Sequence, residues 1–325
     1  MKIGNREFDI ESSKDHKCYI MGILNVTPDS FFDGGKWNSL DSARAHVAQM
    51  IEEGADIIDV GGESTRPGHE QITNQEEIER VVPYIEMIKK EFDVPVSIDS
   101  YKSDVVEEAL KAGADLVNDV WGFRYEKFYG DGLTKDVVSS GKSITYSVVI
   151  GEEAKKRNDA EILSKSSIPD SDSIITKIAQ ITAKYGVPCC LMHNRPDADY
   201  INYIEDVIND LQDSINIALR AGVSKDKIII DPGIGFAKNL EQNLILTNRL
   251  EELNRLGYPV LLATSNKSMI GLSLDLPSDQ RVEGTMVTTV MGVMKGASFV
   301  RVHNIKENKR AIEMTRAILN EQKSI

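Results

Sequence analysis

The chain has 325 residues, 41% of them hydrophobic, and a formal net charge of −13 at pH 7. This length and hydrophobic content suffice for one large core, since a single α/β barrel commonly spans about 250 residues. The acidity argues against a partner such as nucleic acid or an anionic membrane, and an anionic substrate would have to be bound by a few local cations.

No stretch of the chain approaches the roughly 20 apolar residues that are needed to span a bilayer. The first residues are polar and charged, so the sequence does not begin with the apolar segment of a signal peptide. The three cysteines, Cys18, Cys189 and Cys190, are odd in number, and two of them are adjacent inside an apolar run. This pattern is typical of buried, reduced thiols, and we therefore expect a cytoplasmic protein.

One pattern recurs along the chain: a helical segment ends in glycine, and a short β-rich run that ends in a polar residue follows. Glycine directly after a helix stops it at little cost because it adopts the left-handed conformation. Six units contain such a glycine, namely Gly54, Gly113, Gly186, Gly222, Gly257 and Gly296. Two further β-rich runs, 19–26 and 94–99, complete a set of eight.

Eight strands that alternate with helices predict a parallel sheet covered by helices. Eight such units close naturally into a (β/α)8 TIM barrel, which we expect to form a single domain over residues 1–325. A doubly wound open sheet is the alternative, but no G-x-G-x-x-G motif follows a strand. Residues 1–17 precede the first strand and predict a small hairpin that plugs the bottom of the barrel.

The interval between strands four and five is much longer than the others. It contains one expected helix, about 173–184, and an extra segment, about 124–172. The extra segment has a β-like run at 143–150, a charged stretch at 152–157 and a serine-rich piece at 164–173. Because it is too long for an ordinary loop, we interpret it as an insertion that forms a lid, an interface element, a disordered segment or a tolerated surface extension.

Polar residues lie at the ends of all eight predicted strands. The chemistry of such barrels takes place at the C-terminal ends of the strands. A single polar residue there could be a helix cap, but eight together indicate a functional ring around one mouth. The ring residues are Asn25, Asp59, Asp99, Asn118, His193, Asp231, Ser265 with Lys267, and Arg301 with His303.

The residue types in this ring indicate a ligand with two chemically different ends. Carboxylates and carboxamides suit a flat heterocycle rich in N–H donors and ring nitrogens, and Lys267 can donate to a ring carbonyl. Arg301 and His303, with Asn25 on the adjacent first strand, suit a phosphate. Two loops rich in glycine and proline, 27–35 and 61–68, follow the first two strands and are typical of active-site lids rather than of a P-loop.

Four segments of the chain resemble the dihydropteroate synthase family. They are, in chain order, 21–30 (MGILNVTPDS), 59–68 (DVGGESTRPG), 231–236 (DPGIGF) and 301–303 (RVH). The resemblance extends over nearly the whole chain apart from the insertion. It implies a transferase of folate biosynthesis that condenses 6-hydroxymethyl-7,8-dihydropterin diphosphate with p-aminobenzoate to give 7,8-dihydropteroate and diphosphate. It also implies a sulfonamide target and a homodimer formed through the last helices.

The resemblance further implies a role for each matching position. The pterin would be bound by Asp99, Asn118, Asp231 and Lys267, with Asp231 bonded to both the 2-amino group and N3–H. The diphosphate would be bound by Asn25, Arg301 and His303, with Mg²⁺ near Asn25. The p-aminobenzoate site would be shaped by Phe31, Thr65, Arg66, Pro67, Phe236 and Ser268. The groups most directly involved in catalysis would be Asp99, Asp231, Lys267, Arg301 and His303.

The sequence departs from the family pattern at several positions, among them Asn266, Phe32 and Asn304, where arginine, serine and aspartate are typical. Phe32 adds aromatic surface in the first loop, and we hypothesise that it weakens sulfonamide binding relative to the substrate. Two alternative functions stay open. One is a pterin-binding barrel of the methyltransferase type, which would not need Arg301 and His303 for a diphosphate. The other is a non-catalytic pterin-binding paralogue.

Overall fold

Eight parallel strands close into a barrel in the computed structural model, as the sequence predicts. The structure describes residues 1–10, 17–26, 40–64, 71–130 and 175–322. The strands are β1 (Lys2–Ile3), β2 (Arg6–Glu7), β3 (Tyr19–Asn25), β4 (Ile57–Gly61), β5 (Val96–Asp99), β6 (Leu116–Asp119), β7 (Cys189–Met192), β8 (Ile228–Asp231), β9 (Val260–Leu262) and β10 (Ala297–Val302). Strands β3 to β10 pair in parallel in chain order, and β10 pairs with β3 to close the ring.

Helices cover the outside of this ring. They are α1 (Leu40–Glu53), α2 (Asn74–Glu91), α3 (Ser103–Lys111), α4 (Tyr125–Tyr129), α5 (Lys177–Tyr185), α6 (Tyr203–Ala221), α7 (Leu240–Asn248), α8 (Ser268–Leu274), α9 (Val282–Met294) and α10 (Ile305–Leu319). Three short 3₁₀ segments, Lys225–Lys227, Leu250–Leu256 and Ser278–Gln280, join some of them to the next element. Within the described part of the chain, no helix is long and apolar enough to cross a membrane.

The N-terminal hairpin that the sequence predicts is present as the antiparallel pair of β1 and β2. Ile3 and Phe8 are buried in one cluster with residues of the barrel strands, including Met21 and Phe299. The ring centres of Phe8 and Phe299 lie 5.8 Å apart. The hairpin therefore closes the N-terminal end of the barrel, and the opposite end is left as the mouth.

The interior changes from apolar to polar along the strands. Side chains alternate between the two faces of a strand, so a residue two positions after an inward apolar residue also faces inward. Four strands share this pattern: Ile57 then Asp59, Leu116 then Asn118, Ile229 then Asp231, and Phe299 then Arg301. The apolar members belong to the cluster that contains the hairpin, and the polar members lie one layer nearer the mouth.

The predicted insertion, 124–172, lies mostly outside the described residues. Its first part, 124–130, is described and contains α4. Arg124 is only 2% exposed, and its Nη1 atom lies 3.1 Å from the Asp210 carboxylate on α6. The barrel domain therefore extends through α4, beyond the predicted start of the insertion.

The turn after β8 approaches the end of β7 so closely that glycine is required. Gly233 has φ +68°, and a Cβ atom there would lie 1.9 Å from the carbonyl oxygen of His193. Gly257 has a similar φ of +73°, but nothing lies within 4 Å of its hypothetical Cβ atom. Conformation and space both require glycine at position 233, whereas only conformation favours it at position 257.

We predict that Gly233→Ala destabilises the protein far more than Gly257→Ala. The left-handed conformation alone should cost alanine about 1 kcal/mol at position 257. At position 233 a backbone carbonyl must also move, which should add about 1–3 kcal/mol or more. The free energies of unfolding in urea measure both effects, and equal losses in the two variants would contradict the close approach.

Candidate active site

One guanidinium group organises the barrel mouth. Arg301 on β10 donates from Nε to Asp59 Oδ2 and from Nη2 to Asp99 Oδ2, each at 2.6 Å. The Asp59 side chain is 0% exposed and that of Arg301 only 17%. A charge that is buried without a partner costs several kcal/mol, so these ion pairs are a condition for placing the three groups inside the barrel.

Asp59 also contacts the carboxamide of Asn118. The Nδ2 atom of Asn118 lies 3.4 and 3.3 Å from the two oxygens of Asp59. Asp59 therefore contacts both Asn118, which is predicted to bind the pterin, and Arg301, which is predicted to bind the diphosphate. The sequence placed Asp59 in the ring without a role, although its spacing of two from Ile57 indicates an inward side chain.

Asp99 presents an unsatisfied acceptor. Burial raises the pKa of its carboxyl above the ordinary value, Arg301 opposes this change, and the Asp59 carboxylate reinforces it. The Oδ1 atom of Asp99 is buried and accepts no hydrogen bond from the described residues. Because a buried acceptor without a donor is costly, this atom fits an N–H group of a bound ligand.

Lys267 and the turn after β8 form another side of the mouth. The Nζ atom of Lys267 donates to Ile234 O at 2.5 Å and lies 4.8 Å from the centre of the Phe236 ring. Oδ1 of Asp231 accepts from Gly233 N at 2.6 Å. Burial lowers the pKa of Lys267 to about 8, an effect that Asp231 opposes. An ammonium group and a carboxylate thus lie at the ends of neighbouring strands.

His303 and Asn25 lie where the barrel closes, after β10 and at the end of β3. The Nδ1 atom of His303 is 2.9 Å from Ser265 Oγ, which also accepts from His303 N at 3.1 Å. At Gly61 a Cβ atom would lie 3.7 Å from Asn25 Oδ1 and 3.6 Å from Asp99 Oδ2. Both oxygens therefore border the space in front of Gly61.

This space has donors that suit Mg²⁺. The ion prefers oxygen ligands and usually combines one or two protein groups with phosphate oxygens and water. The Asn25 amide oxygen and the neighbouring Asp99 carboxylate provide such a sparse set. Among the described residues, no group of three or more His, Cys, Asp or Glu side chains could hold a metal, so a complete protein cage is not found there.

The prediction that His193 belongs to the ring is wrong. Its side chain is 0% exposed, its Nε2 atom lies 3.0 Å from Asp210 Oδ2 on α6, and its Nδ1 atom lies 2.8 Å from Lys238 Nζ. It therefore faces the helix layer. The side chain of Met192, one position earlier, faces the barrel interior instead, because Met192 lies two positions after the interior residue Cys190.

Met192 belongs to an apolar cluster at the mouth that the sequence reasoning missed. The cluster consists of Tyr101, Val120 and Met192, with Trp121, Tyr125 and Phe236 packed against it. These residues lie at or just beyond the ends of β5 to β8. An apolar wall beside a few fixed polar groups is the usual lining of a small-molecule site, and here it suits the face of a flat ring.

Lys102 ties Glu63, within the second predicted lid (61–68), to residues that follow the lid. Its Nζ atom lies 2.5 Å from Glu63 Oε2 and 2.8 Å from Glu77 Oε2, and it donates to Ile72 O at 2.7 Å. Glu63 Oε2 also accepts from Ile72 N at 3.0 Å. Residues 63 and 72 are therefore held at one buried lysine, which the sequence did not single out.

Most of the predicted p-aminobenzoate site lies outside the described residues, namely Phe31, Thr65, Arg66 and Pro67. Phe32, on which the sulfonamide hypothesis depends, lies outside them as well. Of the other two predicted residues, Phe236 is half-buried beside Lys267, and Ser268 is the exposed first residue of α8. The structure thus brings these two to the Lys267 side of the mouth.

Comparison with known proteins relates this mouth to one enzyme family. The model of the family described as "Pterin binding enzyme" matches residues 21–138 and 145–303. A dihydropteroate synthase of Clostridium beijerinckii is 50% identical over 320 residues, which are 98% of this chain and 99% of the relative.

Two solved structures share the fold over almost the full chain. The dihydropteroate synthase FolP of Clostridium difficile, determined in the presence of pteroic acid, is 41% identical, with a TM-score of 0.75 and 98% of each chain covered. The Xanthomonas albilineans enzyme with 4-aminobenzoic acid is 32% identical, with a TM-score of 0.74 and 93% of each chain covered. This chain belongs to the dihydropteroate synthase family of pterin-binding enzymes.

Proposed function

We propose that the barrel mouth condenses 6-hydroxymethyl-7,8-dihydropterin diphosphate with p-aminobenzoate, giving 7,8-dihydropteroate and diphosphate for folate biosynthesis. The observation that carries this proposal is the set of buried acceptors, Asp99, Asn118 and Asp231, together with the donor Lys267. A pterin presents an amino group and ring N–H groups beside a carbonyl, which is the complementary pattern. Family membership and the pteroic acid and 4-aminobenzoic acid of the related structures support the same assignment.

The pterin is held through its hydrogen-bonding edge. The two oxygens of Asp231 match the 2-amino group and N3–H, and the bond from Gly233 N to Oδ1 at 2.6 Å fixes the plane of that carboxylate. The unsatisfied Oδ1 atom of Asp99 accepts a further N–H, and Lys267 donates to the ring carbonyl. Asn118, oriented by Asp59, completes the set.

The diphosphate lies at the end formed by Asn25, Arg301 and His303. Two of the five guanidinium N–H groups of Arg301 are used in its ion pairs with Asp59 and Asp99, and the remaining donors serve the anion. Mg²⁺ bound beside Asn25 would neutralise charge on the phosphate oxygens. The ion pairs keep the Arg301 group in place before the substrate arrives.

Bond cleavage creates opposite charges at the two ends of the site. The electron pair of the methylene–oxygen bond leaves with the diphosphate, and the pterin methylene becomes a delocalised cation. The carboxylates of Asp99 and Asp231 stabilise this cation. The neutral amine of p-aminobenzoate then supplies the electron pair of the new carbon–nitrogen bond, and the resulting ammonium gives a proton to solvent. No general base with an unusual pKa is required.

The p-aminobenzoate ring is placed next to Phe236 and Ser268. Phe236 contributes an aromatic face beside the Lys267 ammonium, and Ser268 follows Lys267 directly in the chain. We extend the site to Phe31, Thr65, Arg66 and Pro67 on the strength of the family motifs. Exclusion of water by these segments would protect the cation from capture as the alcohol.

We also propose that two copies of the chain form a homodimer through α9 and α10. Their outer face exposes large apolar side chains, with Val287 and Met294 each 59% exposed, Met314 61% and Ile318 63%. A groove on α9 is lined by Glu283, Met286, Val287, Val290 and Met291. An exposed apolar face of this kind is typical of a surface that another chain covers.

The cysteines support a cytoplasmic location. Cys18, Cys189 and Cys190 are all buried and free of disulfide bonds. Burial raises the pKa of each thiol well above its ordinary value, so these groups are not reactive thiolates. Unbridged cysteines are the rule in reducing compartments.

The proposed pterin orientation is tested by Asp231→Asn. The amide presents a donor to the donor edge of the pterin, so kcat/KM for the pterin diphosphate should fall about 100-fold or more. Asp213→Asn is the matched control, because the Asp213 carboxylate on α6 is also paired with a lysine, at 2.7 Å from Lys127 Nζ on α4, and the kcat/KM of this variant should stay near the wild-type value. Release of diphosphate with and without p-aminobenzoate gives the rates, and near-normal activity of Asp231→Asn would contradict the assignment.

Binding of 6-hydroxymethyl-7,8-dihydropterin should weaken as the pH rises through about 8, the pKa of Lys267. Below that pH the lysine is an ammonium and donates a charge-assisted hydrogen bond, and above it the neutral amine donates a weaker one. Calorimetric titrations from about pH 6 to pH 9.5 measure this change. Lys267→Met should abolish this change of affinity with pH, whereas any titration of the ligand itself should affect both proteins. Identical plots of affinity against pH for the two proteins would exclude the proposed contact.

The dimer is tested by Val287→Glu. This exposed residue can take a charge in the monomer without loss of folding, but in a dimer the carboxylate would be buried in an apolar interface, which weakens association. Sedimentation equilibrium should therefore show monomers at concentrations where the wild type is dimeric. Leu219→Glu, at a 40% exposed position of α6, is the control and should leave the dimer intact.

A further inference from the structure

The turn between β8 and α7, residues 232–238, contains a strained backbone conformation. Its φ angles are positive at Gly233 (+68°), Gly235 (+87°) and Ala237 (+45°). A positive φ at alanine is strained, and such a conformation persists only where surrounding contacts hold it. Tyr200 OH provides one such contact by donating to Ala237 O at 2.9 Å.

Lys238 provides most of the remaining support from one atom. Its Nζ atom donates to Gly233 O at 2.9 Å, to Phe236 O at 3.0 Å and to His193 Nδ1 at 2.8 Å. All three partners are neutral groups. Burial lowers the pKa of Lys238 well below its ordinary value, although the Asp231 carboxylate raises it. These contacts hold the backbone of the turn at two carbonyls and tie it to His193.

His193 is held so that it can receive this bond. Its Nε2 atom lies 3.0 Å from Asp210 Oδ2, which also accepts from Arg195 Nε at 2.5 Å. Burial and the neighbouring Lys238 lower the pKa of His193 well below its ordinary value, so the imidazole is neutral. When Nε2 carries the proton and donates it to Asp210, the lone pair of Nδ1 is directed at Lys238.

The clamped turn carries the contacts that place Lys267. The Lys267 ammonium donates to Ile234 O at 2.5 Å and lies over the Phe236 ring. At Gly235 a Cβ atom would lie 3.1 Å from Cδ of Lys267, so the Lys267 chain packs directly on the turn. Any change in the shape of the turn would therefore move the Lys267 ammonium.

We propose that Lys238, with His193 as its acceptor, is a positioning residue of the active site. It holds the turn in the shape that places the Lys267 ammonium at the pterin. The inference rests on the proposed binding of the pterin carbonyl by Lys267. Lys238 acts through the turn and makes no contact with the substrate.

Lys238→Met keeps the length of the side chain and removes its donors. Affinity for 6-hydroxymethyl-7,8-dihydropterin should fall about tenfold or more, because small displacements of a binding group are costly. Affinity for inorganic diphosphate should change less than about twofold, since Arg301 lies on β10 and His303 directly follows that strand. Isothermal calorimetry measures both ligands. Unchanged pterin affinity, or an equal loss for both ligands, would overturn the proposal.

Lys89→Met is the matched control. Lys89 on α2 has its ammonium 2.7 Å from Asp115, near the hairpin end of the barrel, so its loss also removes a partly buried lysine contact. This variant should bind the pterin like the wild type even if its unfolding midpoint falls as far as that of Lys238→Met. A comparable loss of pterin affinity in Lys89→Met would show a general effect of destabilisation and overturn the proposal.

The double variant Lys238→Met/Lys267→Met separates positioning from mere support of the fold. If Lys238 acts through Lys267, the double variant should bind the pterin no more weakly than Lys267→Met alone. Fully additive losses would overturn the route through Lys267. Wild-type affinity in Lys267→Met alone would instead refute the proposed pterin contact, which is a different failure.

Lys238→Gln repeats these measurements if Lys238→Met does not fold. The amide retains two N–H donors that can reach the carbonyls of the turn. Lys238→Gln should therefore bind the pterin more tightly than any folded variant with an apolar residue at position 238. The losses of pterin affinity in Lys238→Gln and Lys267→Met should again be less than additive in the double variant. Additive losses in this second cycle would likewise overturn the proposal.

Discussion

The guanidinium of Arg301, shared between Asp59 and Asp99, is the constraint on which the rest of the mouth depends. Asp59 has no solvent contact, so its charge must be balanced inside the barrel. Removing one member of the trio would leave a buried charge and displace the others. The residues assigned to the pterin and to the diphosphate are therefore not independent, and Asp59 matters to both without being assigned to either ligand.

This arrangement reconciles two opposite electrostatic demands. The site must hold an anionic leaving group and also stabilise a cation on the pterin. Carboxylates alone would repel the diphosphate, and cations alone would oppose formation of the pterin cation. In the proposed assignment, Asp99, Asn118 and Asp231 bind the pterin, whereas Asn25, Arg301 and His303 bind the diphosphate. Arg301 is paired with Asp59 and Asp99 at 2.6 Å, and its remaining N–H donors are available to the anion.

The eight strands, the hairpin and most of the ring were predictable because each depends on a short-range pattern. Glycine after a helix, β-rich runs and a spacing of two are visible within a few residues. The orientation of His193 was not, because its partners Asp210 and Lys238 lie 17 and 45 residues away. The parity that directs Met192 inward necessarily directs His193 outward. A polar residue at the end of a strand therefore indicates a position along the barrel axis. The alternation of side chains along the strand decides whether that residue faces the barrel interior or the surrounding helices.

The outward-facing side chains matter to the chemistry because they contact the turn after β8, in which Ala237 has a strained φ of +45°. A lysine suits position 238 better than a short polar residue, since one ammonium reaches three acceptors at once. Burial raises the pKa of the Asp231 carboxyl, and Lys267, the Gly233 N–H and, less strongly, Lys238 oppose this rise. The neutral imidazole of His193 completes the arrangement, because its Nδ1 atom can accept a hydrogen bond from Lys238 without adding a buried charge.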